Sequence, residues 1–188
     1  PAGLRGQRGC PLSCGQPLWN PLWDHPLPEL RWIVVLYVVG IYNCGVKCTG
    51  QGEEESMRLK DKVALITGGA TGIGQATAKL YAREGSRVVI ADVNEPEAGK
   101  TLEAIAEEGG EGRFVRADVS RGEDVRAMVE TVAQDYGGLD VLVTCAGIYR
   151  TPLVRIDEFD EAVWEEVMEV NLKGTFLCAK YAVPLMRE

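Results

Sequence analysis

The chain has 188 residues and a formal net charge of −8, with 46% hydrophobic and 26% charged residues. That length suffices for one domain with a real core. The acidic balance excludes the basic face of a general nucleic-acid binder and works against adsorption to anionic lipid, so neither nucleic acid nor a membrane is an expected partner.

The composition changes abruptly near Ser56. Residues 1–56 hold four of the six cysteines, three of the four tryptophans, six of the nine prolines and the only histidine, His25, while the first methionine is Met57. Pro11, Pro17, Pro21, Pro26 and Pro28 interrupt any regular element. Trp32 to Tyr42 is an uncharged apolar run of 11 residues, short of the roughly 20 that cross a bilayer. It also begins too late for a secretory leader and lacks the basic start and small-residue cleavage site. Cys10-x3-Cys14 and Cys44-x3-Cys48 invite zinc, since thiolates bind it strongly, or disulfides, which the cytosol would keep reduced. The spacing is loose, and no metal ligand set is assigned. Residues 1–56 read as an irregular extension, either poorly ordered or translated from upstream of a natural start at Met57. Residues 57–188 read as an ordinary α/β chain.

From Met57 onward strands and helices alternate. Val63-Ala64-Leu65-Ile66 suits a buried strand. Ile73, Ala76 and Leu80 follow at the spacing of one helix face, in a helix ending near residue 84. Arg87 to Ala91 is a second strand, ending at Asp92. Glu97 to Glu108 is rich in helix formers and stops at Gly109-Gly110. Arg113 to Ala117 is a third strand. Ser120 and Glu123 have the spacing of a capping box, before a helix with the apolar stripe Val125, Met128, Val129, Val132 and Tyr136. Leu139 to Thr144 is a fourth strand. A long helix then runs from about 160 to 185, with Pro184 near its end. This rhythm implies parallel strands with right-handed crossovers, in the order 3-2-1-4 of a doubly wound α/β sheet.

Between the first strand and its helix lies Thr67 to Gly74, TGGATGIG. Gly68, Gly72 and Gly74 permit a tight turn and close approach of a ligand. The helix that follows offers unpaired N–H groups at the positive end of its dipole, where a pyrophosphate binds. A strand-to-helix turn without a ligand would use the same glycines. Asp92 favours the ligand, because it lies 24 residues after Gly68, near the offset of a carboxylate that holds a ribose 2′-hydroxyl.

These segments resemble the short-chain dehydrogenases/reductases, and within them members similar to 3-oxoacyl-carrier-protein reductases and NAD-dependent alcohol dehydrogenases. TGGATGIG is similar to their TGxxxGIG turn, Asp118-Val119 to their adenine-binding Asp-Val pair, Thr144-Cys145-Ala146-Gly147 to their NNAG, and Val170-Asn171-Leu172-Lys173-Gly174 to the helix segment around their catalytic Asn. The resemblance runs from about Leu59 to Glu188. It implies a Rossmann-type fold and a cytoplasmic enzyme that moves hydride between a nicotinamide cofactor and a small alcohol or ketone. Gly68, Thr71, Gly72, Ile73 and Gly74 would hold the pyrophosphate and Asp92 the adenosine ribose. Asp118 would hold the adenine amino group, with Val119 as part of the adenine wall, and Ala146 and Gly147 would complete the cofactor site. Asp92, followed by Val93-Asn94-Glu95 and no arginine, favours NAD over NADP. Asn171 would carry a proton-relay water. Family members commonly assemble through the long helix, so the resemblance also implies a homo-oligomer.

The chain departs from the family pattern in two places. Thr144 and Cys145 replace both asparagines of NNAG. The family's catalytic Ser and Tyr-x-x-x-Lys follow the Asn segment, yet Tyr81, Tyr136 and Tyr181 are followed four residues later by Gly85, Asp140 and Leu185. The expectation is therefore the N-terminal half of a dinucleotide-binding domain, without its C-terminal half, unable to turn over substrate alone, and with the fourth strand as a bare apolar edge.

Overall fold

The computed structural model of the chain describes residues 33–36, 57–150 and 154–187. The boundary near Ser56 and the cysteines at 10, 14, 44 and 48 lie outside them. Five strands form one parallel sheet: β1 (Ile33–Leu36), β2 (Val63–Thr67), β3 (Arg87–Asp92), β4 (Glu111–Arg116) and β5 (Val141–Thr144), in the order β1-β5-β2-β3-β4. The four strands from residue 63 onward keep the expected 3-2-1-4 arrangement. The fifth corrects the expected bare edge. Ile33–Leu36 lies parallel to β5, pairing Ile33 with Val141 and Leu36 with Thr144, and so takes up the main-chain groups that edge would have left open.

The central strands are buried on both faces, which is why they read as continuous apolar runs rather than alternating ones. Successive side chains point to opposite sides and seed two cores. Leu65, Val89 and Leu142 join Met128, Val132 and Leu177. Ile66, Ile90 and Val143 join Ala78, Ala98 and Ile105. The helices supplying these partners are α1 (Gly72–Arg83), α2 (Glu95–Glu107), α3 (Gly122–Tyr136), α4 (Glu161–Met168) and α5 (Gly174–Met186).

Two local expectations give way. Helix α2 begins two residues early because Asn94 caps it, its side chain accepting the Glu97 N–H at 3.3 Å. The capping box before α3 does not form. The Ser120 hydroxyl donates to Asp118 Oδ1 at 2.7 Å, and the N-cap is Arg121 with no side-chain bond. The helix starts at Gly122, one residue past the start that would make Ser120 its N-cap. The long helix runs unbroken from Glu161 to Met186 as expected, but its period changes inside it. A π-turn at Glu169–Lys173 separates α4 from α5, and such turns concentrate at functional positions.

Cys178 lies on the buried face of α5, 1% exposed, and burial pushes its thiol up to about 12. A thiol in the unfolded chain titrates near about 8.5. Between these values the folded state keeps a proton that the unfolded state releases. The thiol's contribution is therefore complete below about 8.5 and is lost as pH rises toward the folded value. Urea unfolding from neutral to alkaline pH should show stability falling above that point. Cys178→Ala should flatten the slope by at most about 1.4 kcal/mol per pH unit; an unchanged slope would exclude Cys178 as its source.

Candidate functional site

In a parallel sheet all carboxyl ends lie on one edge, and Thr67, Asp92 and Thr144 end β2, β3 and β5 there. Gly68 follows Thr67 with φ +66°. A Cβ on Gly68 would stand 2.6 Å from the Ala146 nitrogen and 2.7 Å from the Cys145 carbonyl carbon. A Cβ on Gly74 would run into the Gly68 carbonyl. The two glycines thus let three stretches of main chain meet. Gly72 differs: its φ is +58°, yet a Cβ would find nothing within 4 Å. It faces open space above the turn.

The turn is pinned from below. The Gly68 N–H donates to the Ala91 carbonyl at 2.8 Å, and the Ala70 N–H to Asp92 Oδ2 at 3.0 Å. The Ala70 carbonyl accepts the Thr101 hydroxyl at 3.0 Å and the Gln75 amide at 3.3 Å. Above it, Thr71, Gly72 and Ile73 are exposed. Thr71 is the extended N-cap of α1 and makes no side-chain cap bond. The first N–H groups of α1 and the Thr71 hydroxyl therefore face outward at the positive end of the helix. An anion fits there.

Both Asp92 oxygens accept main-chain N–H groups, Oδ2 from Ala70 and Oδ1 from Asn94, each at 3.0 Å. A carboxylate oxygen accepts more than one bond, so the aimed group retains capacity for a hydroxyl. Asp118 is held alike, its Oδ1 taking the Ser120 N–H at 3.0 Å and the hydroxyl at 2.7 Å, while its own N–H donates to Asp124 Oδ2 at 3.1 Å. Val119 beside it is 5% exposed.

On the β5 side, Thr67 ties down the following loop, its carbonyl accepting the Cys145 N–H at 3.1 Å and its hydroxyl the Ala146 N–H at 3.4 Å. Burial raises the Cys145 thiol above its ordinary range. The Thr144 hydroxyl is buried without a partner among the described residues. Asn171, in the π-turn, clamps Ile148 at two points: its Oδ1 accepts the Ile148 N–H at 2.8 Å and its amide donates to the Ile148 carbonyl at 3.0 Å. Its own carbonyl accepts the Thr175 hydroxyl at 2.9 Å.

The residues singled out in the sequence thus form a connected surface, with Gly68 against Ala146, Ala70 bonded to Asp92, and Gly147 against Asn171. Sequence reasoning missed Thr101 and Gln75, and gave Ser120 a capping role where it instead holds Asp118. Thr101 carries a signal, as a hydroxyl at 0% exposure on the buried face of α2. Among the described residues no three His, Cys, Asp or Glu side chains are grouped to hold a metal, and no helix is long and apolar enough to cross a membrane.

The family model described as short chain dehydrogenase matches residues 62–188. An uncharacterised oxidoreductase of Bacillus subtilis is 40% identical over 131 residues, 70% of this chain and 48% of that protein. Secoisolariciresinol dehydrogenase of Forsythia intermedia is 40% identical over 129 residues, 69% of this chain and 46% of that protein. The crystal structure of a short-chain type dehydrogenase/reductase from Mycobacterium marinum superposes with a TM-score of 0.66 at 32% identity, covering 70% of this chain and 53% of the other. The chain spans about half the length of the curated relatives it matches.

The two left-handed glycines separate conformational from steric cost. Gly72→Ala should destabilise the chain by about 1–2 kcal/mol, from the left-handed conformation alone. Gly68→Ala should cost more, because the added carbon also overlaps the Ala146 main chain. Denaturant unfolding of the two variants checks the ranking, and equal losses would contradict it.

Proposed function

The chain belongs to the short-chain dehydrogenase family, and on that premise we propose that it holds NAD for an oxidoreductase interconverting an alcohol and a ketone. The observation that carries this reading is the open cradle at Gly72 beside the fixed carboxylate of Asp92. The N–H groups of Gly72, Ile73 and Gly74, with the Thr71 hydroxyl, bind the pyrophosphate. Asp92 accepts from the adenosine ribose. Asp118 accepts from the adenine amino group, with Val119 as the wall beneath, and Ala146 and Gly147 line the path toward the reacting end. When bound, the nicotinamide supplies the hydride-carrying ring.

The preference for NAD follows from charge. A 2′-phosphate would meet Asp92, with Glu95 and Glu97 in the first turn of α2, and the TGGATGIG turn has no Lys or Arg to offset them. Asn171 has both side-chain polar atoms engaged with Ile148. Its carbonyl accepts the Thr175 hydroxyl, and that carbonyl is the acceptor left for a relay water. The chain contains no Tyr-x-x-x-Lys. A tyrosine near its free pKa of about 10 needs such a lysine to act as base at neutral pH. We therefore assign no turnover to the 188-residue polypeptide itself. An alternative reading is a dinucleotide-binding module with no chemistry of its own.

Self-association fits the outer face of α4 and α5. Trp164, Leu172 and Phe176 are exposed there around a shallow groove. Glu165, Glu166 and Glu169 precede Lys173 and Lys180 along the helices. Glu166 and Glu169 are paired with Arg150 and Lys173 of the same chain, so an antiparallel second copy would bury chiefly the apolar strip of Trp164, Leu172 and Phe176.

Calorimetry should find NAD bound more tightly than NADP. Asp92→Asn, which keeps an acceptor for Ala70, should weaken NAD by about tenfold and narrow the gap. Tighter binding of NADP would overturn the assignment. NAD-linked alcohol oxidation above that of an Asp92→Ala, Asn171→Ala double variant would refute the assignment of no turnover. Phe176→Glu should shift the sedimentation of the chain to that of a single copy, and unchanged sedimentation would remove the proposed interface.

A further inference from the structure

Gly174 is the first residue of α5 and is buried. A Cβ there would stand 2.7 Å from Val119 Cγ2, 3.1 Å from Val119 Cβ and 3.3 Å from the Val119 carbonyl oxygen. The nearest of these lies well inside van der Waals contact. Valine is branched at Cβ and stiff about its first torsion, so it has no flexible end to swing aside. Nor can it sink inward, because Val119 is packed in the core with Leu177 and Cys178 of the same helix. A side chain at 174 would be relieved only by moving the 118–119 main chain, and Asp118 with it.

The sequence around Gly174 places it at this contact. The π-turn at Glu169–Lys173 ends immediately before it. An i→i+5 turn inserts one residue, which changes the face presented by everything after it by about 100°. The π-turn that lets Asn171 clamp Ile148 thus also fixes which residue of α5 meets Val119.

We propose that Gly174 is a positioning residue for the adenine end of the site: its bare Cα sets the seat of Val119 and thereby the aim of Asp118 at the base. The inference rests on the reading of Asp118 and Val119 as adenine contacts given above. It assigns Gly174 a specificity role exerted through its neighbour, not a contact with the ligand.

The test compares NAD with nicotinamide hypoxanthine dinucleotide, which lacks the purine 6-amino group that Asp118 would accept from. Both are titrated into the full chain by calorimetry. The unsubstituted chain should favour NAD by about tenfold. Gly174→Ala should cut that preference by about threefold or more. A merely structural glycine would weaken both ligands equally and leave their ratio intact. An unchanged ratio in folded Gly174→Ala would overturn the inference while leaving the adenine reading standing. Absence of any preference in the unsubstituted chain would overturn that reading and the inference with it. If Gly174→Ala does not fold, Val119→Ile adds a carbon to the same contact from the other side and is judged by the same two outcomes.

Discussion

The carboxyl edge of this sheet depends on the absence of a side chain at Gly68. Its Cα lies so close to the Ala146 main chain that a single added carbon would overlap it. That approach brings the turn after β2 against the loop after β5, although the two lie far apart in sequence. Thr67, one residue earlier, accepts the Cys145 and Ala146 N–H groups. The loop after β5 then reaches Asn171, which holds Ile148 at two points. Parallel pairing puts the strand ends on one edge, but it does not bring the loops into contact. Close main-chain approach does that, and here it is achieved by glycines whose missing carbons are already spoken for by neighbours.

How far the site was legible in the sequence follows from the same physics. Buried parallel strands announce themselves as apolar runs, and glycines at fixed offsets mark where main chain must turn or meet. The sheet order and the placement of Gly68, Asp92, Asp118 and Ala146 at one edge were therefore readable. The residue at which a helix starts was not. Ser120 had the spacing of a cap, but the helix starts one residue later, and the Ser120 N–H and hydroxyl both donate to Asp118 Oδ1. The π-turn was hidden for a related reason. An inserted residue barely disturbs an apolar pattern, and only the mid-helix Asn171 and the small Gly174 hinted at it. β1 lies inside the apolar run from Trp32 to Tyr42, whose length was set against a bilayer or a leader and not against a strand.

Asp92 and Asp118 show how much of the site is set before any ligand arrives. Each carboxylate is held by main-chain N–H groups of its own neighbourhood, Ala70 and Asn94 for one and Ser120 for the other. The Asp92 bond to Ala70 also holds the glycine turn, so the outward N–H groups of the turn and the Asp92 carboxylate are fixed as one unit. Thr101 and Gln75 add side-chain bonds from beneath to the Ala70 carbonyl. Ordering these groups is a cost of folding, and a ligand meeting them does not bear it again.

The same arrangement explains why substitutions near the site act through neighbours. At Gly72 space is open and only backbone conformation constrains the residue. At Gly68, Gly74 and Gly174 the neighbour is main chain or a branched side chain already packed in the core. Interiors packed at crystal density transmit such an overlap rather than absorb it. Pressure at Gly68 is therefore delivered to the Cys145-Ala146 loop, and pressure at Gly174 to Asp118-Val119. The glycine pattern that first marked the chain as ligand-binding is thus two patterns. One position leaves open space above the turn, and the others leave room for the protein's own packed neighbours.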